Sequence, residues 1–355
     1  MKTRFALTAL LAFALLLWLL RSVNLAEVWT HVQSADRWSM VGGLLFVALT
    51  YVTRAIRWQY LLAPIGPTRW RTAFRTTIIG FAALTLLPFR MGDLLRPYLL
   101  ARQERLSVSA TLATVAMERI LDLMTVLVLL AVFLWVGSDP TLLTPRAAAA
   151  LAEVKFWGAV FAGASIVAVV VMWGLATHPQ RAASLVMTVE HLASPRIARA
   201  LAHFVSYFGS GFGAMRSPVT LAWSVFWSFA IWLAIAAETW VVSRGFGIPM
   251  SFVGSFVMQP LLVLGVASGT PGGLGPYQWA YMLGVTTFFG ATQESGVAAS
   301  FVVWFISFLP VVVFGLIYMA QDGLSLGRLG QLASEARDKE PASSDEMSIL
   351  RSSRR

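Results

Sequence analysis

The sequence predicts an all-α fold, a polytopic membrane helix bundle with about six full spans and two Pro/Gly-broken hairpins arranged as an inverted repeat. Three observations predict it. Apolar runs recur at lengths that cross a bilayer as helices. Only 12% of the 355 residues are charged while 57% are hydrophobic, and the mean hydropathy is +0.71, so water is not the main solvent of this chain. Two further apolar segments are interrupted by proline and glycine at the same Pro-x-x-x-Gly spacing.

Taken in order, Phe5 to Leu20 is an apolar run behind Lys2 and Arg4. No small-x-small cleavage site follows before Arg21 and Ser22, so it reads as a retained first helix rather than a signal peptide. Further spans are expected at Trp38 to Tyr60, Ser107 to Val136, Val154 to Ala176, Val219 to Val242 and Val297 to Ala320. The stretch Thr177 to Ser217 places Arg181, Arg196, Arg199 and Arg216 among apolar residues, as an amphipathic helix on a membrane surface does. Beyond Gln321 the composition turns to Ser, Glu and Arg, which predicts a disordered tail over 321–355, leaving 1–320 as the integral membrane domain.

Positive charge sets the expected orientation. The N-terminus, the Arg54 to Arg75 and Arg90 to Arg105 stretches, 177–217 and the tail are basic, whereas loops 21–38, 138–153 and 244–250 carry little net positive charge. An even number of crossings in the cell (inner) membrane with both termini cytoplasmic satisfies that pattern. The net charge of +10 is carried almost wholly by arginine, the only lysines being Lys2, Lys155 and Lys339. In a membrane chain such a surplus faces the anionic leaflet, so nucleic acid is not an expected partner. The chain has no cysteine, which excludes disulfides, thiol catalysis and thiolate-bound metals. His31, His178, His191 and His203 lack ligand spacing, so no metal or other cofactor is expected. The Gly209, Gly211, Gly213 spacing follows no strand and is rejected as a dinucleotide signal.

The two interrupted segments carry most information. The first hairpin, 72–105, runs apolar to Leu87, breaks at Pro88, Phe89, Arg90, Met91, Gly92 and Asp93, and resumes to Arg102. The second, 251–290, runs to Gly269, breaks at Thr270, Pro271, Gly272, Gly273, Leu274 and Gly275, and resumes from Tyr277 to Phe289. Such breaks release backbone groups that lipid cannot satisfy, so they persist only where protein or a wet cavity surrounds them. In the expected topology the hairpins enter from opposite sides, the pattern that marks a transporter's binding site.

Several charges fall inside the membrane plan. Arg90, Asp93 and Arg96 recur at i, i+3, i+6, so a helix starting near Gly92 lets them converge on one anionic group, with helix N-H donors beside them. They also suit the role of cytoplasmic anchors. Glu118, Arg119 and Asp122 stand at helical spacings within one span, which serves either a structural clamp or a direct part in substrate or proton handling. Glu238 lies alone in the run Ile231 to Val242; it is a candidate proton carrier for coupling, or it faces the outer interface near Arg244. Arg54 and Arg57 precede Trp58 at a helix end and are expected to snorkel as anchors, the alternative being a part in attracting substrate.

The run from Gly80 through Leu86, Leu87, Pro88, Arg90, Gly92, Asp93, Arg96 and Leu100 to Glu118, Arg119 and Asp122 resembles the transmembrane domain of lysylphosphatidylglycerol synthases and their free-standing flippase-like relatives. Pro271-Gly272-Gly273-Leu274-Gly275 resembles that family's second motif. The sequence departs from the family pattern at Gln278, where a glutamate is usual, at Thr85 for an asparagine, and near Val303 and Trp304 for an arginine. The resemblance implies a lipid flippase-like transporter that moves anionic or phosphate-bearing lipids. Arg90, Arg96 and Arg119 would bind the phosphate, Asp93, Glu118 and Asp122 would orient them, and Pro271, Gly272, Gly273, Gly275 and Gln278 would complete the substrate site. Its partner is a membrane phospholipid or other lipid. Only about 35 residues follow the last span, so a soluble aminoacyl-transfer domain like that of the synthases is not expected, and neither is enzyme activity. The rival expectation is a non-transporting scaffold for a separate lipid-modifying or glycosyl-transferring enzyme.

Overall fold

A computed structural model describes residues 13–87, 91–137, 150–160, 162–163, 167 and 217–323, and among these residues every regular element is helical. A short helix α1 (Phe13–Arg21) bends by 91° into α2 (Leu25–Ser34). Then follow α3 (Arg37–Leu62), α4 (Trp70–Leu86), α5 (Gly92–Glu104) and α6 (Val108–Val132), the last continuing as a π-turn over Phe133–Gly137. Residues 150–160 are helical. The second half comprises α7 (Pro218–Gly245), α8 (Ser255–Ala267), a 3-10 turn at Pro271–Gly273, α9 (Pro276–Phe289) and α10 (Gln293–Gln321).

Four helices among the described residues are long and apolar enough to span a membrane, and the bent α1–α2 pair makes a fifth if it counts as one span. They coincide with the expected second, third, fifth and sixth spans. The expected fourth span, the amphipathic segment before Ser217 and the tail lie largely outside the described residues. Loop 21–38 needs correction, since most of it forms α2. Its start is fixed by Asn24, whose side chain accepts from the Ala26 N-H, and Val28 and Val32 dock it on the core while Leu25 and Trp29 stay exposed.

Caps explain where the spans begin. The Asp36 carboxylate accepts from the N-H groups of Trp38 and Ser39 and from the Ser39 hydroxyl. That hydroxyl, then the two N-H groups, hold the carboxyl below its usual range. Ser107, Ser217 and Thr292 cap α6, α7 and α10 in the same manner, and Pro218 and Pro276 occupy first-turn positions that need no donor.

The packing pattern has an internal regularity. Exchanging α3, α4, α5, α6 for α7, α8, α9, α10 maps the set of packed helix pairs onto itself. The pair α3–α7 maps onto itself, α4–α5 onto α8–α9, α5–α6 onto α9–α10, and α4–α10 onto α6–α8. Each broken hairpin therefore packs against the long helix that follows the other.

Hairpin closure in the first half depends on small residues. A Cβ added at Gly92 would stand 2.1 Å from the Gly80 carbonyl oxygen and 2.5 Å from the Leu84 nitrogen, so α5 starts directly against the α4 backbone. Backbone atoms on both sides cannot swing away. Gly92→Ala is expected to cost about 3 kcal/mol of stability, read as a lowered Tm of the detergent-solubilised chain. An unchanged Tm would show that α4 and α5 can part at no cost.

Candidate functional site

The charged residues of α3, α5 and α6 meet inside the bundle. Arg96, buried on α5, donates through Nη1 to Glu118 Oε2 at 2.7 Å and through Nη2 to Oε1 at 3.4 Å. Its guanidinium lies 3.7 Å from the centre of the Trp58 ring, and Trp58 is held by donating to Thr114 Oγ1 at 2.9 Å. Arg57 donates from Nη1 to Asp122 Oδ1 at 2.6 Å and to Ser228 Oγ at 2.9 Å, with Nη2 3.6 Å from Glu118 Oε1. The same Asp122 oxygen accepts from Trp232 Nε1 at 3.0 Å. One carboxylate thus ties α3, α6 and α7 together. Charges this deep persist because each offsets the desolvation of another.

Arg119 is held more loosely. Its Nη1 lies 3.5 Å from Asp122 Oδ2, and Nη2 lies 3.9 Å from both Glu118 Oε2 and Asp93 Oδ1. Neither its Nε nor its Nη2 makes a hydrogen bond, though both atoms are buried. Arg54, one turn before Arg57, is buried with its guanidinium 4.8 Å from the Phe81 ring centre. It has no ion-pair or hydrogen-bond partner among the described residues. The described network therefore holds four guanidinium groups, Arg54, Arg57, Arg96 and Arg119, against three carboxylates, Asp93, Glu118 and Asp122. Within this network one positive charge is left over, and the buried donors without a hydrogen bond, Nε of Arg57, Arg96 and Arg119 and Nη2 of Arg119, outnumber the one such acceptor, Asp122 Oδ2. Buried donors without acceptors are costly, so the arrangement calls for an anion.

Space for one exists. A cavity of about 460 Å³ is lined by Arg54, Arg119 and Asp122 at its charged wall. Its other walls are mostly apolar, from α3, α4, α6, α7, α8, α9 and α10, with a second polar group of Glu238, Gln259, Tyr277 and Ser307. The Ser307 hydroxyl donates to Glu238 Oε1. Glu238 thus faces the cavity, not the outer interface near Arg244.

The second hairpin is placed differently. Trp304 Nε1 donates to the Gly272 carbonyl at 2.8 Å, and the Gly275 N-H donates to Gln278 Oε1 at 2.7 Å, which ties the break to α10 and starts α9. Gly272 packs on Thr85 of α4, where a Cβ would stand 3.0 Å from the threonine methyl. Pro271, Gly272, Gly273, Gly275 and Gln278 do not line the large cavity. Gly272 and Gly273 instead border a small cleft with Leu84, Thr85 and Phe308, and the buried Gln278 Nε2 has no hydrogen bond.

Of the residues singled out in the sequence, the structure brings Asp93, Arg96, Glu118, Arg119 and Asp122 into one network, with α5 beginning at Gly92 as expected. Arg96 pairs with Glu118 through both Nη atoms, while its buried Nε makes no hydrogen bond. Arg90 lies outside the described residues. The expectation that Arg54 and Arg57 snorkel is overturned, because α3 continues past both to Leu62 and turns Arg57 inward against α6 and α7 and Arg54 onto Phe81 of α4. Ser228 and Trp232 gave no sign in the sequence beyond lying on an apolar helix. The arginines did, as i, i+3 cations in a run without carboxylates. No group of three or more metal-binding side chains occurs among the described residues.

The chain is 24% identical over 341 residues to "Glycosyltransferase AglD" of Haloferax volcanii, an alignment covering 90% of this chain and 54% of that protein. It therefore spans about half the length of this curated relative. The family model described as lysylphosphatidylglycerol synthase TM region matches residues 5–315, a range that includes both hairpins, the ion network and the cavity, and the chain belongs to that family.

Proposed function

We propose that this chain is a flippase-like lipid transporter that moves anionic or phosphate-bearing lipids across the bilayer, with both termini in the cytoplasm. The observation that carries this reading is the cavity reaching Arg54, which makes no ion pair among the described residues, and Arg119, whose buried Nε and Nη2 make no hydrogen bond. A phosphodiester headgroup supplies the missing anion and accepts from the unused Arg119 donors. At about 460 Å³ the space matches a headgroup. The exchange pattern of the helix pairs supports an inverted repeat, the architecture in which one site is reached alternately from two sides. In this reading the chain is a carrier and not an enzyme, and Glu238 is the coupling group, facing the same cavity through Ser307.

Proteoliposomes containing fluorescent phosphatidylglycerol or phosphatidylcholine test it. The native chain is expected to move the anionic lipid faster than the zwitterionic one, and an imposed pH gradient is expected to change that rate. Glu238→Gln is expected to abolish the response to the gradient while phosphatidylglycerol binding stays within twofold. If the native chain moves neither lipid, transport is wrong for these substrates. The scaffold reading then gains, and the relative's name and greater length favour it.

A further inference from the structure

The cavity wall is unevenly sealed. Most lining residues are buried or half-buried, including Arg54, Asp122, Glu238, Gln259 and Tyr277. The exposed ones are Leu123 on α6 and Val263, Leu264 and Ala267 on α8. All four are apolar, and Leu264 is 58% exposed. The mouth of the cavity therefore lies along the seam between α6 and α8, with an apolar rim.

The equivalent seam under exchange of the two halves is α4–α10, and it is shut. A Cβ added at Gly315 would stand 2.3 Å from Ala82 Cβ and 3.3 Å from the Ile78 carbonyl oxygen, so the helices touch backbone to backbone there. Two seams related by the packing pattern thus differ, one closed and one open onto the charged cavity. The open seam is apolar at its rim and cationic at its floor, which matches the order of parts in an anionic lipid. A space of about 460 Å³ takes a headgroup but not two acyl chains as well, and the tails must therefore leave through the rim. Left in hydrocarbon, they incur no cost of transfer.

We propose that the α6–α8 seam is a lateral portal, occupied by the acyl chains of an anionic lipid whose headgroup sits at Arg54 and Arg119. This rests on the lipid-binding reading of the cavity and adds the route of entry. A photo-crosslinking residue, benzoylphenylalanine, replaces Leu264 at the portal or Phe314 on α10, which is 54% exposed beside the shut seam. Each variant is reconstituted in vesicles of nine parts phosphatidylcholine to one part phosphatidylglycerol, irradiated, and the adducts are identified by mass spectrometry. At Leu264 the adducts are expected to contain phosphatidylglycerol at several times its share of the vesicle, an enrichment that Arg54→Gln removes. At Phe314 they are expected to follow vesicle composition. Should Leu264 not accept the bulky residue, Val263 serves.

Adducts at the portal that mirror the vesicle would overturn the proposal. Native mass spectrometry of the unmodified chain then separates the two ideas. Phosphatidylglycerol retained in an Arg54-dependent way leaves the cavity reading standing with another entrance, whereas no retained anionic lipid removes both.

Discussion

Asp122→Ala is expected to cost about 3–5 kcal/mol of stability, enough to remove most of the margin of a typical domain. The substitution strips Arg57 of its 2.6 Å partner and Trp232 of its acceptor, while Arg119 loses the carboxylate at 3.5 Å. A buried guanidinium is then left facing only Ser228 and a distant Glu118 oxygen. Thermal unfolding in detergent followed by tryptophan fluorescence checks it, with Tm falling well below the native value. The double change Arg57→Met with Asp122→Leu should recover much of the loss, because removing both charges also removes their desolvation cost. An Asp122→Ala variant with native Tm would mean that water already reaches Arg57.

Arg54→Gln is expected to do the opposite, sparing the fold and removing the ligand. Arg54 stacks on Phe81 and makes no ion pair among the described residues, so its loss deletes an uncompensated buried cation and leaves Tm unchanged or higher. Charge-assisted contacts contribute about 1.5–3 kcal/mol, so affinity for phosphatidylglycerol should fall roughly 10- to 100-fold. Titration by native mass spectrometry measures this, with Arg57→Gln as the contrasting variant that loses stability. Equal affinity in native chain and Arg54→Gln would place the anion elsewhere.

What the sequence disclosed followed how local each signal was. The two breaks were legible because proline and glycine act on their own backbone, and Gly92 does stand at the start of α5 and Gly275 just ahead of α9. Glu118, Arg119 and Asp122 were legible because charges in an apolar run are conspicuous. Arg54 and Arg57 were misjudged because their surroundings are set by distant chain. Arg57 meets Asp122 across 65 positions and Ser228 across 171, and no local pattern encodes that meeting. Helix α2 escaped notice although Leu25, Val28, Trp29 and Val32 recur at i, i+3, i+4, i+7 behind the Asn24 cap, because ten residues between two long apolar runs read as a connecting loop. The turn residues of the second hairpin were expected beside substrate on resemblance, yet their hydrogen bonds run to α9 and α10.

The division of charge between α3 and α6 also bears on how the chain is made. Helix α3 carries Arg54 and Arg57 and no carboxylate, whereas Glu118 and Asp122, the partners of Arg57, arrive with α6, after the first hairpin has been synthesised. Released alone into lipid, α3 would expose two bare guanidinium groups, at about 3 kcal/mol each near the bilayer centre on insertion scales. Stable placement of α3 therefore waits for α6. The first half of the protein is expected to enter the bilayer as a joint assembly of α3 to α6, with a nascent chain stopped short of Asp122 holding a helix that the membrane has reason to reject.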